Sequence, residues 1–313
     1  MTLPQLIADY LRYRRALGYR LVRDSQILGS FCHRFGHLPL TAISSDRVLS
    51  FLCPGHLCHE TIARKHRALS GLYHYVHGRH GALLPTLPHL PSGRSSSFVP
   101  HVYSHAELRR LLRATAVTCR NPVGQVDELM LRTLILLLYG AGLRLGEALT
   151  LNASDVDLNQ AFLRLRQSKF YKSRLVPFGQ DLTEVLRVYD RQRDRQLSSD
   201  PECPFFCLRN GRRAQHKIME RAFRRLCLTA AVRRDGASRR QPRLHDLRHT
   251  AAVHRLIQWY RSGADLQRLL PRLATYLGHK DLSGTQHYLT LTPQLLREAS
   301  LRFEHYVREC RHD

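Results

Sequence analysis

Apolar side chains recur every three or four positions through most of this chain, so the pattern predicts helices before anything else. Leu3, Leu6, Ile7, Tyr10, Leu11 and Leu17 share one helical stripe that Gly18 ends, and Ile27, Leu28 and Phe31 mark a second helix over 25–35. A third starts near Ser45, where Asp46 suits the positive end of a first turn. A fourth and longer one runs from about His59 to Val76. Leu69, Leu72, Tyr73 and Val76 give it an apolar side, and Arg64, Lys65, Arg67 and His74 a basic one. These elements predict a compact helical bundle with one basic face over residues 1–84.

The texture then changes. Gly78, Gly81, Pro85, Pro88, Pro91, Gly93 and Pro100 crowd one stretch together with Ser95-Ser96-Ser97, which predicts a linker over 85–100 and a second domain over 101–313. That domain opens on Ser104, an N-cap followed three residues later by Glu107 and then by Leu108, Leu111 and Leu112. A strongly apolar helix follows over about 126–140 and stops at Gly140 and Gly142. Alternation predicts strands at 161–166 and from Arg174 to Phe178, joined by a turn from Lys169 to Ser173. Further helices are predicted over 181–193, 213–230, 246–260 and 292–307. The fold class is therefore mostly α with a small β-sheet: a helical bundle followed by an α+β domain.

Charge narrows the class of partner. The 313 residues hold 49 Lys and Arg against 25 Asp and Glu, a formal net charge of +24. Both parts of the chain share the excess, with 12 basic against 4 acidic residues before position 101 and 37 against 21 after it. Such a field favours a polyanion, and nucleic acid first among them. Eight cysteines are too few for a disulfide scaffold, no secretory leader opens the chain, and no run approaches the ~20 apolar residues of a membrane span. A reducing, cytoplasmic setting is expected, with no membrane partner.

Four short fragments carry candidate chemistry. Gly142-Leu143-Arg144-Leu145-Gly146-Glu147 places an arginine in a glycine-bracketed turn beside the most apolar helix. An arginine there needs a carboxylate or a bound anion, and Glu147 is one candidate. His245-Asp246-Leu247-Arg248 sets a histidine and an arginine three apart on the first turn of a helix, with Asp246 suited to the helix start. Leu277-Gly278-His279 follows an apolar helical stretch, and Tyr288 comes nine residues after His279. Guanidinium forks match phosphate oxygens in two dentate contacts, and a phenol is a nucleophile once a base or a positive field helps it.

These fragments, with His249 and Thr250 completing the second, stand in the order and at the intervals of the tyrosine recombinases, or phage-type integrases, which the chain closely resembles over about 104–290. The resemblance implies that Tyr288 attacks a DNA phosphodiester, giving a 3′-phosphotyrosyl link and a free 5′-hydroxyl. It implies that Arg144 and Arg248 clamp the phosphate, that His245 assists proton handling, and that His279 hydrogen-bonds the phosphate. A hairpin lysine would protonate the departing 5′ oxygen. Lys169 is the matching one, Lys172 the alternative, and Ser168 and Phe170 stand where the family often has glycine. The implied activity is site-specific DNA recombination without metal, ATP or other cofactor. The implied partners are double-stranded DNA and a homo-tetramer on paired sites joined through the C-terminal helix, with sister recombinases or accessory proteins besides. Strand relaxation of the type IB topoisomerase kind shares this chemistry, and a catalytically silent DNA-binding protein would share the motifs.

The remaining signals are basic. Arg213, Lys217, Arg221 and Arg224 fall on nearly one face of the helix predicted over 213–230 and, with Arg64, Lys65, Arg67, Lys172 and Arg174, are the candidate DNA contacts. Phosphate contacts of this kind fix register rather than sequence. Cys53, His56, Cys58 and His59 crowd into seven residues with no second pair at finger spacing, so no metal site is expected there.

Overall fold

The computed structural model describes residues 2–19, 21–55, 58–90, 99–120, 124–166, 173–196, 200, 202–234, 241–279, 281, 283–290, 295–301 and 304. The chain divides into two compact units, residues 1–98 and 99–313.

The first unit is a bundle of α1 (Leu3–Ala16), α2 (Val22–Phe35), α3 (Ser45–Leu52) and α4 (His59–His80). Leu3, Leu6, Ile7, Leu28, Phe31, Leu69, Leu72 and Val76 meet in its core. Each such side chain, fully buried, stabilises the fold by roughly 1.5–3 kcal/mol before the opposing conformational entropy is counted. Leu17 lies just past the end of α1 and is exposed, because the stripe outlasts the helix by one residue. α4 runs on to His80 and ends where Gly81 turns left-handed. Gly71 removes the side chain that would collide with the Tyr10 phenol, which lets α1 close on α4. Residues 82–90, most of them in the stretch read as linker, form neither helix nor strand, yet Ala82, Leu84, Leu87 and Leu90 pack on this core. The rest of that stretch, 91–98, lies outside the described residues.

In the second unit α5 (His105–Thr118) begins with the predicted capping box: the Ser104 hydroxyl accepts the Glu107 N–H at 3.2 Å, and the Glu107 carboxylate accepts the Ser104 N–H at 2.7 Å. α6 (Glu128–Gly140) is buried along Leu131, Leu134, Ile135, Leu137 and Leu138, and forms the centre of the core against α5, α8 and α10. After the short α7 (Leu145–Thr150) comes an antiparallel sheet of β1 (Val156–Asp157), β2 (Phe162–Leu165) and β3 (Arg174–Pro177) in that order. Leu163 pairs with Val176, both facing the core, while Arg164 points to solvent. Sequence pattern misses β1, since two residues cannot show alternation.

α8 (Gln180–Gln196), α9 (His216–Thr229), α10 (Leu244–Arg261), α11 (Leu266–Leu277) and the one-turn α12 (Ser283–Gln286) complete the unit, followed by a 3₁₀ turn at His287–Thr290. Residues 295–301 are helical and lie on α10: Leu295 is buried, and Glu298 accepts Arg261 Nη2 at 2.7 Å. The fold is mostly helical with one small antiparallel sheet, as the pattern predicts. Among the described residues no helix is long and apolar enough to cross a membrane.

Candidate active site

Two glycines build the floor of the site. Gly142 ends the turn after α6 with a positive φ of 60°, and a Cβ there would come within 2.8 Å of Leu277. Gly278 closes α11 in the left-handed region, with Gly278 N–H to Thr275 O at 3.0 Å and His279 N–H to Ala274 O at 2.9 Å, a Schellman closure. These turns bring the Gly142, Leu277 and Gly278 carbonyls to one place. Arg248, on the first turns of α10, donates Nη1 to Gly142 O and Nη2 to Leu277 O, each at 2.6 Å. Arg144 donates Nη2 to Gly278 O at 3.0 Å and Nη1 to Glu147 at 2.8 Å. The two arginines that stand 104 positions apart in the chain are thus tied to one hub of backbone oxygens.

Arg248 is 2% exposed, so burial first, and the Arg144 charge second, pull its pKa down to about 10. It stays charged at neutral pH. Its charge also acts on the nearby phenol of Tyr288. Tyr288 sits on the 3₁₀ turn, 2% exposed, in an apolar cluster with Val253, Ile257, Leu273, Leu277 and Leu295. Burial raises its pKa, while the Arg248 charge and then the Arg144 charge work in the opposite direction.

The histidines are neutral donors and acceptors here. His245 is pushed down to about 4 by burial and then by the Arg248 charge, and His279 to about 4 for the same two reasons. His279 Nδ1 meets the Thr285 hydroxyl at 2.7 Å, and its ring lies 5.9 Å from that of Tyr288. His249, one turn beyond His245, bridges the two sides: its ring is 4.8 Å from His245 and 5.5 Å from Tyr288. Asp246 accepts both the backbone N–H of Arg243 at 3.0 Å and its guanidinium at 2.9 Å, which fixes the start of α10. His249 was legible, since i and i+4 share a helix face; Thr285 carried no such signal.

Arg144, His245, Arg248, His279 and Tyr288 therefore lie around one pocket of positive charge, and the rest of the candidates divide. Lys169 and Lys172 lie outside the described residues. Arg174 does not point into a groove: its Nη1 and Nη2 grip both oxygens of Glu147 at 3.0 Å each, inside the same site. Arg213 precedes α9 instead of joining its face, and its guanidinium donates to Leu149 O at 3.0 Å, Leu151 O at 3.1 Å and Asn152 Oδ1 at 2.6 Å. Lys217, Arg221 and Arg224 are exposed on α9. In the first unit Arg67 is exposed and Arg64 pairs with Glu60 at 3.1 Å. Lys65 leaves the basic face, because its ammonium reaches Phe51 O at 2.8 Å and ties α4 to α3. Cys58 Sγ lies 3.0 Å from the Thr61 hydroxyl, and among the described residues no group of His, Cys, Asp and Glu is arranged to hold a metal.

The buried arginine hub with a phenol at its edge defines a class of enzyme, the tyrosine recombinases, and the comparisons agree. Residues 102–294 match the model of the phage integrase family, and this chain belongs to that family. The y4rB protein of Sinorhizobium fredii, described as an integrase or recombinase, is 33% identical over 310 residues, covering 97% of each chain. The fold also matches the Tn1549 transposon integrase in complex with transposon right end DNA, with TM-score 0.69 and 17% identity over 97% of this chain and 99% of that one. A lambda integrase tetramer bound to a Holliday junction matches with TM-score 0.66 and 16% identity over 92% and 77%. The general activity is DNA recombination of the tyrosine-recombinase type.

Proposed function

We propose that this chain is a site-specific DNA recombinase in which Tyr288 is the nucleophile. The observation that carries the reading is the hub of Gly142, Leu277 and Gly278 carbonyls that ties Arg144 and Arg248 together, with the buried Tyr288 phenol inside the field of both charges. Arg144 and Arg248 bind the nonbridging oxygens, where charge grows during transfer. Neutral His245 takes the phenolic proton, and the phenolic oxygen bonds to phosphorus as the P–O5′ bond breaks. Lys169 delivers a proton to the departing 5′ oxygen, with Lys172 the alternative. His279, held by Thr285, donates to a phosphate oxygen. The ester conserves the energy of the broken bond, so attack by a 5′-hydroxyl from a second duplex reseals the strand without a nucleotide or metal.

The assembly proposed is a tetramer on paired duplex sites in the cytoplasm, as the tetrameric lambda integrase match supports. Residues 295–301 make contacts within their own unit that a neighbour's identical segment can make equally well, the low-cost route of segment exchange. Exposed Lys217, Arg221, Arg224 and Arg67 contribute phosphate contacts.

The test begins by mapping DNA ends that copurify 3′-linked to the protein in its host, then building a nicked suicide duplex from that sequence. The wild type should accumulate a covalent adduct that survives denaturation. Tyr288→Phe should bind the duplex with unchanged affinity and form none. An adduct retained by Tyr288→Phe would remove the nucleophile assignment, and relaxation of supercoils lacking the mapped sequence would move the activity to the topoisomerase kind.

A further inference from the structure

Arg174 is the guanidinium that the chemistry above leaves unused, although it is 15% exposed and lies inside the site. It donates twice to Glu147, the carboxylate that also accepts Arg144 at 2.8 Å. Its Nη2 reaches Leu277 O at 3.3 Å, the same oxygen that accepts Arg248. Gly278 has no room for a side chain because a Cβ would stand 2.7 Å from this guanidinium. A groove contact would leave the fork to solvent and phosphate, whereas here it is turned inward and occupied.

The balance of charges gives the arrangement a purpose. Glu147 bonded to Arg144 alone would cancel much of that arginine's field at a phosphate a few ångströms away. With Arg174 present, three guanidinium groups face one carboxylate and two positive charges remain; without it, one remains. A phosphodiester carries one negative charge and approaches two as the nucleophile adds. We propose that Arg174 is a positioning residue that takes up the Glu147 carboxylate, so that Arg144 keeps its charge and its spare donors for the scissile phosphate. The proposal rests on the phosphoryl-transfer reading of the site.

Two readouts test it on the full chain. The first needs no DNA: 3-fluorotyrosine is placed at position 288, and its fluorine resonance is followed through a pH titration as a reporter of local charge. Arg174→Gln should raise the phenol midpoint by about 0.5–1 unit, and Glu147→Gln in the same chain should return it toward the wild-type value. The second is the rate of adduct formation on the suicide duplex at saturating protein, with affinity measured over a range of salt. Arg174→Gln should slow that rate about 10–100-fold with affinity and salt slope unchanged, and the double variant should be faster than the single. Arg174→Lys, which keeps the charge in a smaller perturbation, should retain most of the rate if Arg174→Gln does not fold.

A drop in affinity with a salt slope reduced by about one, and no change in saturated rate, would make Arg174 a direct phosphate contact and end the proposal. A double variant no better than the single, in both readouts, would end it as well. Absence of any wild-type adduct would instead remove the nucleophile reading, while the fluorine titration still decides the charge relay on its own.

Discussion

Arg248 and Arg221 are the same residue type in the same unit, used in opposite ways. Arg248 is 2% exposed, with both Nη atoms on backbone oxygens at 2.6 Å. Arg221 stands on the open face of α9 beside Lys217 and Arg224, where water solvates it. A buried fork tied to carbonyls is already oriented, so it stabilises developing charge without reorganising when the reaction occurs. An exposed arginine acts through the long-range field and through counterion release, which draw DNA in but do not distinguish ground state from transition state. Arg144 lies between the two: its side chain is 28% exposed, tied on one side to Glu147 and Gly278 and open on the other.

The largest effect should come from breaking the buried side of this comparison. Arg248→Ala removes the guanidinium proposed to hold the phosphate and leaves the Gly142 and Leu277 carbonyls short of a donor. Losing one such donor raises a transfer barrier by about 2–4 kcal/mol, so adduct formation should slow roughly 30- to 1,000-fold. Gly142 O without this donor, and Leu277 O left with the longer Arg174 contact at 3.3 Å, should also lower the melting temperature. Arg248→Lys keeps a charge but cannot span two carbonyls with a planar fork, so it should recover only part of the rate. A lysine variant at full rate would show that charge alone, without the fork, is what the site uses.

A smaller effect, in a different observable, should come from the exposed side. Changing Lys217, Arg221 and Arg224 together to Gln removes three positive charges from the exposed face of α9, the face proposed to meet DNA. The slope of log affinity against log salt should become shallower by about 0.9 for each phosphate no longer neutralised, with the adduct rate at saturation within about twofold of wild type. An unchanged salt slope would take α9 away from the DNA; a large fall in saturated rate would erase the contrast between the two kinds of arginine.

How much of this was readable in the sequence follows the same divide. The apolar stripes mark the bundle, α5, α6, β2 and β3, because burial repeats at the period of the backbone and is written in every third, fourth or second residue. The five residues of the site were readable as motifs. Their wiring was not, because hydrogen bonds to Gly142, Leu277 and Gly278 oxygens are made by backbone atoms that every residue possesses. Charge alone points Arg174 and Arg213 toward DNA, and charge says nothing about which acceptors a fork will find once the chain closes around it. Lys65 departs for the same reason: at helical spacing it belongs to the basic side of α4, yet its long stem reaches a carbonyl on α3.

The smallest effect is expected from protonation, and it separates buried from exposed groups once more. His245, His254 and His279 all have pKa values pushed down to about 4, chiefly by burial, against about 6.5 in an unfolded chain. Between those values the unfolded state binds more protons than the folded one, so stability rises with pH from about 4 to 6.5 and is level above that range as far as these groups decide it. Arginine and lysine do not titrate there, so the α9 face contributes nothing to this slope. His254 is the informative one to change, since its contacts lie outside the arginine hub: it is bonded through Nδ1 to the Tyr139 hydroxyl at 2.8 Å and stacked on His105 with ring centroids 4.4 Å apart. Its ring keeps partial contact with water, so its share is about 1 kcal/mol after allowance for screening. His254→Gln should flatten the fall of unfolding free energy below pH 6.5 by about that amount while leaving the saturated adduct rate at pH 8 near wild type. An undiminished acid slope would mean that His254 titrates in the fold as it does in the open chain, and that burial beside His105 does not hold it neutral.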